Sequence, residues 1–210
     1  MKNDRPKHIP ITQLKNQLLS FLDKRALVFV GLMGAGKSVI GKRVANMLHL
    51  PFYDSDDEIE KASQMTITEL FKVYGEPKFR SLEQRIILNL MKKKPLVLAT
   101  GGGAYINEDI RKTIHQNGIS IWLKADLDIL MERVLLRPTR PLLQTPNPKE
   151  TMQKLMEQRY PIYEKANLTI NSHKESRQTV ARNVIWSIEH YLYTENNDRN
   201  NKHASKNSHC

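Results

Sequence analysis

Cysteine is all but missing from the chain. Cys210, the last of 210 residues, is the only one. No disulfide can form within the chain, and nothing in the composition asks for an oxidising compartment. No apolar run approaches the roughly 20 residues that cross a bilayer. The opening MKNDRPKHIP has no apolar stretch of the secretory kind and carries an acid that transit peptides avoid. A cytosolic protein without a membrane partner is therefore expected. Aromatic residues are scarce at 7%, and no basic stretch interleaves with them to stack bases. The net charge of +11, from 33 Lys and Arg against 22 Asp and Glu, reads as solubility charge plus a site for anionic ligands. A nucleic-acid partner is not expected.

What is present suits one domain. Hydrophobic residues make up 40% and charged residues 26%, an ordinary globular balance. Residues 1–25 read as an extension in which Ile11, Leu14, Leu18, Phe21 and Leu22 recur at helical spacing, an amphipathic helix suited to packing on the domain surface. Residues 194–210 are Asn-rich and nearly devoid of apolar side chains, so they read as a disordered tail. His203, His209 and Cys210 in that tail lack metal-ligand spacing. Between the ends, short apolar runs (26–30, 96–99, 119–123, 167–170, and a start at 51–53) alternate with longer stretches of helical character. Those stretches lie near 37–49, 78–93, 105–117, 126–136, 149–165 and 175–193. Alternation of this kind predicts an α/β three-layer sandwich on a mainly parallel sheet, spanning 26–193. ALVFV at 26–30 lacks polar alternation because a parallel strand is covered on both faces. Trp122 and Trp186 both read as core.

Directly after the first strand stands GLMGAGKS, from Gly31 to Ser38, a complete G-x-x-x-x-G-K-S. Glycines let the backbone N–H groups converge on phosphate oxygens, and the helix that follows presents its positive end to an anion. Lys37 can reach the β- and γ-phosphates, and the Ser38 hydroxyl suits Mg²⁺. Neither D-x-x-G nor N-K-x-D is present, which disfavours a GTPase.

The remaining motifs must choose the phosphoryl acceptor. Asp54 and Asp56, at the end of a strand, would point the same way if the chain stayed extended, one toward a metal shell and one toward a hydroxyl proton. A helix N-cap explains the same residues equally well. In GEPKFRSLE, Arg80 and Glu83 are three apart on a helix and can pair, the acid orienting the guanidinium. Gly101, Gly102 and Gly103 follow a strand and either admit a ligand against the backbone or make a tight turn. In RVLLRPTRPLL, Pro138 and Pro141 put Arg140 on a loop, from which a guanidinium can neutralise charge during phosphoryl transfer. Arg159, in QRYPIY, is a second separated arginine, and two such groups can grip a carboxylate.

Taken in order across 26–171, these six motifs resemble the shikimate kinase family, within the nucleoside-monophosphate-kinase-like group of P-loop proteins. The resemblance implies a five-stranded parallel sheet in the order 2-3-1-4-5 and a mobile lid at about 136–147. It implies ATP on Gly34, Ala35, Gly36, Lys37, Ser38 and Val39, with Arg133 on the adenine side and Arg140 on the phosphates. Mg²⁺ would be held by Ser38 directly and by Asp54 through water. Shikimate would contact Asp56, Arg80, Gly101, Gly102, Gly103 and Arg159, with Asp56 as base and Lys37 and Arg140 neutralising charge. The implied reaction is ATP-dependent phosphorylation of the shikimate 3-hydroxyl, by a monomer. Val39 stands where many relatives carry threonine. The stretch after Asn171 does not match the family's adenine-side loop, and no contact is assigned there.

Overall fold

The computed structural model describes residues 18–135, 145–172 and 175–207. A helical turn at 18–22 (α1) leads into β1 (Ala26–Val30), and α2 (Lys37–Leu48) follows the glycine loop. Next come β2 (Phe52–Asp54), α3 (Ser55–Ser63), α4 (Ile67–Met91) and β3 (Val97–Ala99). A short 3-10 turn, Ala104–Ile106, precedes α5 (Glu108–Asn117) and β4 (Gly118–Lys124). The chain ends through α6 (Leu127–Leu135), α7 (Pro148–Tyr163), β5 (Leu168–Asn171) and α8 (Arg177–Asn207).

All five strands form one sheet in the order β2-β3-β1-β4-β5, and every pairing is parallel. Phe29 of β1 sits level with Ala99 of β3 and Ile121 of β4, so β1 and β3 end within a residue of each other while β4 runs on to Lys124. That aligned carboxyl edge is where open α/β sheets bind ligands. Helices cover the sheet, and every residue of β1 is fully buried. The three-layer α/β sandwich and the strand order are as expected. Ile40, Val44 and Leu48 of α2 join Val184, Ile188 and Leu192 of α8 in the main core. Leu18 and Leu22 join it too, so the described end of the N-terminal amphipathic stretch packs on the domain. The rest of that stretch, 11–17, lies outside the described residues.

Several boundaries differ from expectation. α3 is the helix that the N-cap reading of Asp54 and Asp56 allows, whereas the first part of α4 is not expected from the sequence. Asp54 caps α3 by accepting from the Asp56 N–H at 3.0 Å. Thr66 and Glu69 form a reciprocal capping box that starts α4. α4 then bends at Gly75 (φ 73, ψ 170), just before Pro77. α8 does not stop at Tyr193: residues 194–207 continue it as helix, against the expected disordered tail. Its extension is tied down at Glu195, which accepts from Arg25 at 2.8 Å and from the Tyr191 hydroxyl at 3.1 Å. Trp122 is core, as expected, but Trp186 is 41% exposed. The inward stripe of α8 runs through Ala181, Val184, Ile185 and Ile188, and Trp186 falls off its phase.

Candidate active site

β1 ends at Val30, and the chain turns at once into the glycine loop. Gly36 takes left-handed angles (φ 96, ψ 14) and hands over to α2, a conformation that a side chain resists. Lys37 is buried within the loop it belongs to, its Nζ donating to the Gly31 carbonyl at 2.8 Å and the Leu32 carbonyl at 2.9 Å. Ser38, one residue on, is exposed to the cleft in front of the loop. That cleft holds about 370 Å³ and is lined by Gly34 to Val39, Asp54, Asp56, Gly101, Gly102 and Arg133. Its size falls within the range of ordinary ligand pockets, about 300–1,000 Å³.

Arg133 reaches across from α6. Its Nη1 donates to the Gly34 carbonyl at 3.3 Å, the Ala35 carbonyl at 3.4 Å and the Ser172 hydroxyl at 3.2 Å. Ser172, Glu175 and Arg177 also line this end of the cleft. The sequence predicts no ligand contact beyond Asn171, because the loop carries no motif and only its position after β5 points to it.

The two readings of Asp54 and Asp56 turn out to be compatible. The chain is not extended here: Asp54 ends β2 and Asp56 lies in the first turn of α3. Asp54 is the cap, and both carboxylates still line the cleft. The buried Ser55 between them accepts from the Gly101 N–H at 2.8 Å and so fastens α3 to the glycine turn.

A second, smaller hollow of about 70 Å³ adjoins the first, with Met33, Asp56, Gly101 and Gly102 lining both. Its other walls are Arg80, Glu83, Gly103 and Arg159, with an apolar side of Ile67, Phe71 and Phe79. Phe71 and Phe79 pack with ring centroids 4.5 Å apart. Sequence reasoning missed Ile67 and Phe71. The Thr66-x-x-Glu69 capping signature, visible in the sequence, could have revealed the helix that carries them.

Arg80 donates from Nη1 to Glu83 Oε2 at 2.8 Å and from Nη2 to Glu76 at 2.9 Å. The pairing expected at three-residue spacing is thus present, and it is no surface pair, since Glu83 is 1% exposed. Burial pushes the Glu83 carboxyl above its usual range, against the pull of Arg80, and the Asp56 charge adds to the rise. Burial works against the Arg80 charge, but Glu83 and Glu76 more than offset it and hold the guanidinium above its usual range. A Cβ at Gly101 would lie 2.8 Å from both Asp56 Oδ1 and Glu83 Oε1, so those two carboxylates flank the glycine turn. A Cβ at Gly103 would stand 2.5 Å from the Arg80 guanidinium nitrogens. Arg159 donates to the Gly102 carbonyl at 3.1 Å. Arg140 and residues 136–144 of the lid expected at about 136–147 lie outside the described residues.

A parallel sheet ending in a phosphate loop, with a nucleotide-sized cleft beside an arginine-lined hollow, defines a P-loop phosphotransferase. The family model described as shikimate kinase matches residues 33–189. The shikimate kinase of Bartonella henselae is 80% identical over 210 residues, covering 100% of both chains. That of Brucella canis is 52% identical over 174 residues, 83% of this chain and 87% of its own. Among solved structures, a shikimate kinase from Acinetobacter baumannii in complex with shikimate has a TM-score of 0.78 and 34% identity. It covers 81% of this chain and 96% of its own. The chain belongs to the shikimate kinase family and is a kinase.

Proposed function

We propose that this enzyme transfers the γ-phosphoryl group of ATP to the 3-hydroxyl of shikimate, giving shikimate 3-phosphate and ADP on the route to chorismate and the aromatic amino acids. The observation that carries this reading is the place of Asp56, on the wall common to the nucleotide cleft and to the hollow lined by Arg80 and Arg159. In that reading the two arginines hold the shikimate carboxylate, and Gly101, Gly102 and Gly103 bring backbone against the ring. Asp56 takes the hydroxyl proton as the oxygen attacks the γ-phosphorus and the bond to ADP breaks. The loop residues Gly34, Ala35, Gly36 and Val39 hold ATP with Lys37, while Arg133 attends the adenine side. Arg140 neutralises charge from the lid.

Ser38 and Asp54 are hard oxygen donors facing the cleft, a set that fits Mg²⁺. Among the described residues no group of three or more His, Cys, Asp or Glu could hold a metal. Mg²⁺ needs no such group, because it keeps water and phosphate ligands. Ser38 would hold the ion directly and Asp54 through water, and the ion would supply charge neutralisation on the β- and γ-phosphates. No helix among the described residues is long and apolar enough to cross a membrane. The family resemblance supports a cytosolic monomer acting on free substrates, without nucleic acid.

The test is a coupled assay of ADP release with Mg²⁺–ATP, run with shikimate, gluconate or CMP. Release that depends on shikimate alone is expected. Release with another acceptor, or none from folded ATP-binding protein, would overturn the reading.

A further inference from the structure

Tyr163 has no part in the reaction as set out above, yet it stands directly behind the hollow. It is the last residue of α7 and is fully buried. Its ring stacks on Tyr105 at 6.3 Å between centroids and packs on Trp122 at 5.9 Å. Its hydroxyl donates to the Gly102 carbonyl. Arg159, four residues earlier on the same face of α7, donates to the same oxygen at 3.1 Å.

Two donors satisfy both lone pairs of one carbonyl oxygen. Because a peptide unit is planar and trans, fixing the Gly102 carbonyl also fixes the Gly103 N–H, which points the opposite way. That N–H therefore faces away from Tyr163 and Arg159. Gly103 itself is packed tightly against Arg80, since a Cβ there would stand 2.5 Å from its guanidinium nitrogens. A tilt of this one peptide plane would shift both the amide and its spacing from the arginine. The phenol is a dependable anchor for it: burial raises its pKa to about 12, so it keeps its proton across the working range.

We propose that Tyr163 is a positioning residue for the acceptor: its hydroxyl, with Arg159, locks the Gly102–Gly103 peptide so that the Gly103 amide is aimed at shikimate. This inference rests on reading the hollow as the shikimate site. Tyr163→Phe removes only the hydroxyl and keeps the ring packing. Steady-state kinetics with shikimate and ATP varied separately, together with thermal unfolding, then test the role. The shikimate KM is expected to rise about three- to tenfold, the cost of one hydrogen bond. The ATP KM should stay unchanged. Arg159→Ala, measured beside it, should also raise the shikimate KM. An unchanged shikimate KM in Tyr163→Phe with a raised one in Arg159→Ala would overturn the tyrosine's role and leave the pocket reading standing. Unchanged shikimate KM in both variants would overturn the pocket reading, and the inference with it. A rise in both KM values of Tyr163→Phe with a fall in Tm would reduce Tyr163 to a packing residue.

Discussion

Asp56 and Arg80 ask for different substitutions, because their surroundings differ. Asp56 is half-buried at the junction of two hollows, so Asp56→Asn keeps shape and removes only the basic oxygen. It should fold with an unchanged Tm and lose about 10²–10⁴ in kcat, the usual worth of a positioned base. Wild-type turnover in that variant would remove Asp56 as the base. Arg80 cannot be truncated as cleanly. It is bonded to Glu83 Oε2, and the buried Glu83 Oε1 beside it has no hydrogen-bond partner. Alanine at this position would leave a buried carboxylate uncompensated, a loss that mixes stability with binding. Arg80→Lys keeps the charge but loses the planar fork. A shikimate KM raised on the order of tenfold, with kcat and ATP KM little changed, is the outcome expected for a carboxylate clamp. Arg140→Ala should lower kcat by about 10²–10⁴ with little change in shikimate KM, as for an arginine that meets transition-state charge.

At the scale of elements, the site depends on α3 and α4 more than on any strand. β1, β3 and β4 were legible in the sequence because buried parallel strands are largely apolar runs, broken in β4 only by Ser120, and β1 matches its expected range residue for residue. The glycine loop was legible because phosphate binding demands a fixed spacing of residue types. The first part of α4 was not. Its apolar positions Ile67, Leu70 and Phe71 face a small separate cluster with Ile59 and Phe79, and the bend at Gly75 breaks the helical period. The bend leaves the segment before Gly75 as a fragment of about two turns with its own apolar phase, while the longer segment after Pro77 keeps the helical period expected near 78–93. The start of this element hangs on Thr66, whose hydroxyl accepts from the Glu69 N–H at 3.2 Å while Glu69 accepts from the Thr66 N–H at 2.8 Å. Thr66→Ala should cost about 1 kcal/mol in urea unfolding, as cap removal does elsewhere. Because Ile67 and Phe71 wall the hollow, the same variant should raise the shikimate KM while leaving the ATP KM alone. A cap acting on stability only would leave both constants unchanged.

Across the whole molecule, the two ends of the domain meet on the side of the sheet away from the site. Arg25 immediately precedes β1, and its guanidinium pairs with Glu195 on the continuation of α8. Glu195 also accepts from Tyr191, and the Tyr191 hydroxyl accepts from Asn167 at 3.0 Å. Asn167 in turn accepts from both the Ser120 N–H at 2.9 Å and its hydroxyl at 2.7 Å, on β4. One chain of polar contacts thus joins the entry to β1, the entry to β5, β4 and the last helix. Nothing in the sequence pattern pairs residues 170 positions apart, and an Asn-rich segment scores as disordered on composition alone. The helix persists past Tyr193 where this tertiary contact holds it. Both partners are less than a third exposed, so the pair outweighs an ordinary surface ion pair, though solvent still screens it. Arg25→Ala should lower unfolding free energy by about 1–2 kcal/mol, the worth of a hydrogen bond to a charged group (about 1.5–3 kcal/mol) reduced by solvent screening. A double-mutant cycle with Glu195→Gln should return part of that as coupling, the rest belonging to the Arg25 bonds to the Leu22 and Phe21 carbonyls at 3.2 and 3.1 Å. The kinetic constants for ATP and shikimate should stay at wild-type values, because the carboxyl edge carries the chemistry and these contacts tie the opposite one. Additive losses in the cycle would mean that the last helix is held by its apolar stripe alone, and that the helix beyond Tyr193 owes nothing to Arg25.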